Sequence, residues 1–286
     1  VGSEMCIRDR INIVRIERWI LKKILYTVWD CIYPVVTYLL ITSLAFLVPV
    51  VPGEVDTLLP MIDFSNAMIL NSLAAIILIF TWFGIIYTSK SGEKKEPIKM
   101  SALFSTKLKD YIFIGWLGIS LGICLSVAVS IFGISEQDEA FKQVNELIES
   151  QPFWLKIASV GIIIPIQEEL MYRGLIYKNI EQRYDHIKAA VISSTVFAVM
   201  HMNLSQGVYA FLMGFVLAFI YQKTKNIYAC ITFHCSANMF AVFVSTNTVN
   251  EFLMENVLLI PAVLLCMIVS AYVIILYLHK EYRRNI

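Results

Sequence analysis

Charge is what this chain has least of. Only 16% of its 286 residues are Asp, Glu, Lys or Arg, against about 25% in ordinary soluble domains. A soluble protein of this length needs far more polar surface to meet water, so a cytosolic globular domain is excluded, and so is intrinsic disorder. The net charge of +1 leaves no basic excess for a nucleic-acid partner. Paired cysteines are missing as well: Cys6, Cys31, Cys124, Cys230, Cys235 and Cys266 form no CxxC unit, and all but Cys6 sit in apolar runs. They read as free thiols packed like small hydrophobes, which excludes a disulfide scaffold and a zinc ribbon. Two further signatures are absent, the HExxH zinc helix and the GxSxG nucleophile elbow.

Apolar sequence is abundant instead, at 58% of residues with a mean hydropathy of +0.70. A hydrocarbon layer about 30 Å thick takes about 20 apolar residues to cross as a helix. Stretches of that kind recur near residues 31–51, 66–88, 111–133, 153–177, 187–203, 206–222, 227–246 and 254–279. The expected fold is therefore all-α, a polytopic membrane protein of about eight transmembrane helices.

The placement of the few charges gives an independent check. Lys and Arg favour cytoplasmic connections. Twenty-one of the 23 basic residues fall on alternate connections: the N-terminal segment, the loop after the second span, the region 173–188, Lys223 with Lys225, and the C-terminal tail. The opposite connections are acidic, with Glu54, Asp56 and Asp63 in one and Glu136, Asp138, Glu139, Glu146 and Glu149 in the other. Eight spans with both termini in the cytoplasm fit this alternation, and a miscount by one would scramble it. Residues 136–151 read equally as a short interfacial helix or as an ordered acidic loop. The first residues, starting at Val1, are expected to be unrelated to the rest. Asp30 and Asp110 flank spans and are expected to cap or solvate them. His186 and His279 read as interface residues.

Ionisable groups within spans are costly and point to function. Three sets occur, all in the second half of the chain. The first is Glu168-Glu169 with Arg173 one turn on, an i,i+4 pair for Glu169. Glu168 projects about 100° away from Glu169 on a helix, which would hold one carboxylate structurally and leave the other for proton transfer. The second is His201, with Phe197 one turn before it. At about 1.5 Å per residue, Glu168 and His201 should lie at one depth on antiparallel neighbours. The third is His234 with Asn238, which share a helical face.

EExxxR, FxxxH and HxxxN on successive membrane helices resemble the CAAX-prenyl-protease and bacteriocin-processing (CPBP or Abi) family of intramembrane proteases. The resemblance covers residues 153–246 and includes the EELMYRG stretch and Lys223–Tyr228 ahead of the last motif. It divides the chain into a cytoplasmic segment 1–30, a leading part 31–152, a catalytic core 153–246 and a last span with tail 247–286. It implies an endopeptidase in the membrane, with lipids and a peptide or lipidated protein as partners and a bacterial plasma membrane as location. By resemblance, Glu168 and His201 activate water, His234 and Asn238 stabilise the oxyanion, and Glu169 and Arg173 hold the geometry. His201, His234 and Glu168 also suit a zinc site with an open position. The metal-free alternative is preferred, since Asn238 is a poor zinc ligand and no helix carries a preformed ligand pair. Two other uses of buried ionisable groups compete with proteolysis, a proton-coupled transporter and a silent scaffold or immunity protein.

Overall fold

The computed structural model describes residues 2–47, 73, 76, 106–134, 137–245 and 260–282. Among these residues every regular element is helical, and the chain is an all-α polytopic membrane protein. Apart from residues 73 and 76, the span expected at 66–88 lies outside the described residues, as do the acidic loop 52–65 and the basic loop that follows the second span as far as residue 105.

Eight helical elements are numbered here: α1 (Gly2–Leu47), α2 (Leu108–Ile131), α3 (Glu139–Glu149), α4 (153–181), α5 (His186–Val199), α6 (Leu204–Thr224), α7 (Ile227–Val244) and α8 (Ile260–Glu281). Helices α2, α6 and α7 and residues Pro261–Glu281 of α8 are each long and apolar enough to cross a membrane. α5 is a shorter apolar helix. α1 is one continuous helix through the segment expected to be separate from the first span. The 136–151 region resolves to the helix reading, because Asp138 caps α3 by accepting from the Phe141 amide at 3.1 Å.

The starts of α5, α6 and α7 were written locally. Asp185, Asn203 and Asn226 each accept from a backbone N–H in the first turn, satisfying donors the helix itself leaves open. Lys225 takes a left-handed conformation, φ 50°, so α6 ends and α7 begins within two residues. Beside Asp185, the Lys188 side chain and amide hold the carboxyl down at about 2.

α4 is wound unevenly. Ile157–Ile163 and Leu170–Tyr177 are π-helical, on either side of the α-helical turn Ile164–Glu169. Wider turns leave carbonyls open to other donors. Asn238 of α7 donates its side-chain amide to the Val160 carbonyl at 3.0 Å, and the Cys235 thiol faces the Ile162 carbonyl.

Packing places α7 against α2 and α4, α5 against α6, and α8 against α2. The α2–α7 crossing is close because Gly118 faces α7. A Cβ at Gly118 would lie 2.2 Å from the Phe233 carbonyl oxygen, so any side chain there drives the two backbones apart. One end of the bundle gathers the ends of α4 and α8, the start of α2, the α6–α7 join and residue 30 of α1. Arg183 pairs with Asp30, Lys225 with Glu181 and Lys107 with Glu281. These ends were expected from charge alternation to share one membrane face, and they do meet.

The expectation for Asp110 is corrected. Instead of capping or meeting solvent it is 0% exposed and accepts from the hydroxyls of Tyr277 and Tyr282 of the C-terminal segment, both at 2.7 Å. A side chain near a helix start is still covered when a neighbouring helix brings phenols to it, and sequence adjacency carries no signal of that. Asp30 is likewise ion-paired rather than simply solvated. His186 and His279 are exposed, in line with interface positions.

Candidate active site

The short α-helical turn between the two π segments carries Glu168 and Glu169. Glu169 is 0% exposed. A bare carboxylate at that depth would be prohibitively costly, and it is doubly partnered. Its Oε1 accepts from Arg173 Nη1 at 2.7 Å and from His234 Nδ1 at 2.8 Å. Arg173 is also fully buried. Its Nη2 donates to the Gly214 carbonyl of α6 at 3.0 Å, and its guanidinium lies 5.0 Å from the centre of the Phe197 ring. Gly214 permits this approach, since a Cβ there would sit 3.2 Å from Arg173 Nη2.

Glu168 is the accessible member of the pair, with its side chain 18% exposed, and its Oε2 lies 3.7 Å from His234 Nε2. The two adjacent carboxylates thus flank one imidazole. The 100° offset between neighbouring side chains does not send them to different partners, because the two ring nitrogens of His234 also face different ways and each glutamate reaches one. An anion at Nδ1 fixes a proton on that nitrogen. His234 therefore presents Nε2 towards Glu168, as a lone pair when neutral and as a second donor when protonated.

Phe197 is the hub of the aromatic contacts. Its ring centre is 4.6 Å from Tyr172, 4.9 Å from His201 and 5.9 Å from His234. His201 sits in the turn just beyond α5, half-buried, with Nδ1 donating to the Phe197 carbonyl at 2.9 Å. That bond leaves Nε2 as the free nitrogen. No hydrogen bond or ion pair joins His201 to Glu168 among the described residues. Asn238 lies one turn from His234 with an amide N–H spent on Val160. The structure therefore brings Glu169, Arg173 and His234 into one bonded cluster with Glu168 beside it, places His201 across the Phe197 ring from it, and turns Asn238 towards α4.

Among the described residues no three His, Cys, Asp or Glu side chains are grouped to hold a metal ion, as the zinc alternative requires.

Residues 150–240 match the family model described as Type II CAAX prenyl endopeptidase Rce1-like. The resemblance to the CAAX-protease family holds over these residues. Every member of the bonded cluster lies inside them. The chain is 31% identical over 137 residues to "Putative membrane peptidase YdiL" of Bacillus subtilis (strain 168), a stretch covering 48% of this chain and 55% of that protein. It is 29% identical over 98 residues to "UPF0177 protein YxdF" of Lactococcus lactis subsp. lactis (strain IL1403), covering 34% and 54%. "UPF0177 protein YbdJ" of the same strain is 26% identical over 137 residues, covering 46% and 59%. The chain spans about half the length of the curated relatives it matches. No solved structure matches it.

Some contributors carried no sequence signal. Gly214 and Gly118 matter only through what faces them, and the Val160 carbonyl matters only because the helix is locally π-wound. Tyr172 was visible as the aromatic of EELMYRG, but its contact with Phe197 was not.

Proposed function

We propose that this chain is an intramembrane endopeptidase that hydrolyses a peptide bond in a membrane-associated or lipidated peptide. The observation that carries the reading is the imidazole of His234 held between two carboxylates, one fully buried and ion-paired, the other partly exposed. Similarity of residues 150–240 to CAAX prenyl endopeptidases supports it.

In this mechanism Glu168 is the general base. It removes a proton from water, the resulting hydroxide attacks the scissile carbonyl carbon, and the carbonyl electrons move onto oxygen. His234 Nε2–H donates to that oxyanion, together with the second N–H of the Asn238 amide. The tetrahedral intermediate collapses as Glu168 returns the proton to the leaving nitrogen, which departs as an amine. Glu169 and Arg173 keep His234 oriented. His201 assists the water through its free Nε2. Donors of this kind gain strength where bulk water is excluded. The reaction is proposed to run without a resident metal, in a bacterial plasma membrane and with both termini in the cytoplasm.

The test is cleavage of an internally quenched, prenylated peptide ending in Cys-aliphatic-aliphatic-X by the full chain in liposomes. Glu168→Gln and His234→Ala should each lower kcat by a hundredfold or more, about the range for general acid–base residues, while a chelator leaves activity unchanged. Full cleavage by Glu168→Gln sinks the mechanism. Activity lost to a chelator and restored by stoichiometric zinc would overturn its metal-free form.

A further inference from the structure

The base and the histidine assigned to one water stand on separate elements, Glu168 on α4 and His201 in the α5–α6 turn. No hydrogen bond or ion pair joins them among the described residues, so their spacing is set from elsewhere. Backbone preference does not hold the turn in shape: Met202 takes a left-handed conformation, φ 57°, which side chains larger than glycine's adopt at a cost. Side chains fasten it instead. Asn203 donates its amide to the His201 carbonyl at 2.9 Å, and its Oδ1 accepts from the Gln206 N–H at 2.8 Å.

A second fastening comes from 67 residues earlier in the chain. Asp138 Oδ2 accepts from the Ser205 N–H at 2.8 Å, a first-turn donor that α6 itself leaves open. Oδ1 of the same carboxylate caps α3 through Phe141. One side chain thus ties the start of α3 to the start of α6, where Ser205 is almost fully buried. At its other end α3 is tied to α4. Glu149 pairs with Lys156 at 2.6 Å, and the Lys156 side chain is only 8% exposed. The eleven residues of α3 reach about 16 Å, which makes the helix a strut from the head of the Glu168 helix to the turn that carries His201. None of the described residues of α3 is buried, so its polar ends, rather than core packing, fix where it lies.

We propose that Asp138 is a positioning residue for His201. Through α3 and the Ser205 amide it holds the α5–α6 turn at a set distance from α4, so that the free Nε2 of His201 faces the water that Glu168 deprotonates. The inference rests on the peptidase reading above and on the part it gives His201, and it adds α3, ahead of the matched residues, to the working site. The bond from His201 Nδ1 to the Phe197 carbonyl sets the rotation of the ring. The Asp138 link sets where the backbone beneath that ring stands. Both matter because proton transfer needs hydrogen-bond reach, which a small displacement removes.

The experiment uses the full chain in liposomes with the quenched prenylated peptide. Asp138→Ser keeps a good helix cap for Phe141 but has a single oxygen, so the Ser205 link is lost. It should lower kcat about tenfold, a modest share of what misplacing a catalytic group costs, with KM within about twofold of the parent and an unchanged thermal midpoint. In a His201→Ala background the same substitution should lower kcat no further, since a residue that acts through His201 has nothing left to position. Hydrogen exchange reads the turn without activity. The His201 and Met202 amides donate to the Ala198 and Val199 carbonyls at 3.2 Å. Their protection, relative to intrinsic exchange at the same pH, should fall about threefold or more in Asp138→Ser while the α7 amides keep theirs. Parent-like kcat, unchanged protection at those two amides, an equal loss in the His201→Ala background, or a loss that tracks a lowered thermal midpoint each overturns the proposal. If His201→Ala is too slow for the comparison, protection at the two amides decides. Glu168→Gln keeps the two readings apart. If it is inactive while Asp138→Ser or His201→Ala matches the parent, only the roles of Asp138 and His201 fall. If it cleaves normally, or if the parent shows no cleavage, the peptidase reading and this inference fall together.

Discussion

Among the described residues two carboxylates are completely buried, and they are kept by different means. Glu169, in the middle of α4, is met by a guanidinium and an imidazole. Asp110, in the first turn of α2, is met by two phenols. Depth accounts for the difference. Asp110 sits where the open N–H groups and the positive pole of a helix N-terminus already favour an anion, so neutral donors suffice. Glu169 lies between helical turns with no such help, and the Arg173 guanidinium together with the His234 N–H offsets its desolvation. This nest holds His234 beside Glu168. The phenolic nest fastens the C-terminal segment to α2.

The comparison is sharpest where one partner is removed. Arg173→Ala leaves Glu169 with His234 alone and should cost about 3–5 kcal/mol, as for breaking a buried pair, measured as the unfolding free energy in detergent, with activity lost. Arg173→Lys should not restore it, because a single ammonium cannot reach both Glu169 and the Gly214 carbonyl as the guanidinium does. A parent-like stability for Arg173→Ala would break the contrast between the two nests.

A milder perturbation separates the nests in space. Gly118→Ala forces α2 away from α7, and overpacking of this kind costs about 1–3 kcal/mol. Its Cβ presses on the carbonyl of Phe233, the residue before His234, so kcat should fall while the contacts of Asp110 with Tyr277 and Tyr282 persist. Asp110→Asn should cost less, about 1–2 kcal/mol for weakened hydrogen bonds, with cleavage per folded molecule unchanged. Activity falling in step with stability in Asp110→Asn would show that the two nests are not independent.

Asp138 extends the comparison to a carboxylate at the outer rim. It accepts from the Ser205 amide at the start of α6 as well as from Phe141 in its own helix, and the Ser205 amide first among these donors holds its carboxyl below the ordinary 3.8. The sign follows directly. A lowered folded value means the tether contributes fully above the ordinary carboxylate range and is lost as pH falls through the lowered one. Protection of the Ser205 and Phe141 amides, relative to intrinsic exchange at the same pH, should therefore fall on acidification in the parent. In Asp138→Asn that protection should be low and insensitive to pH across that range.

Much of the architecture was legible in residue order. The long apolar runs marked α2, α6, α7 and α8. Glu169 and Arg173 could be paired from i,i+4 spacing alone. Less legible was anything that depends on which face of a neighbour arrives. The shared imidazole between Glu168 and Glu169, the burial of Asp110 and the closeness of α2 to α7 at Gly118 all involve residues far apart in the chain. The π turns of α4 were invisible too, since Ile157–Ile163 has the composition of any apolar helix.

Composition and charge order alone determined that this chain crosses a membrane many times and that its costly polar groups lie in the second half. Those properties follow from transfer free energies, which act on each residue wherever its neighbours are. The packed structure alone decided that Glu168 is the partly exposed carboxylate and Glu169 the sequestered one. Reactivity of a buried acid depends on the distances to its donors, and distances between helices are set by side-chain packing, which no local stretch of sequence contains.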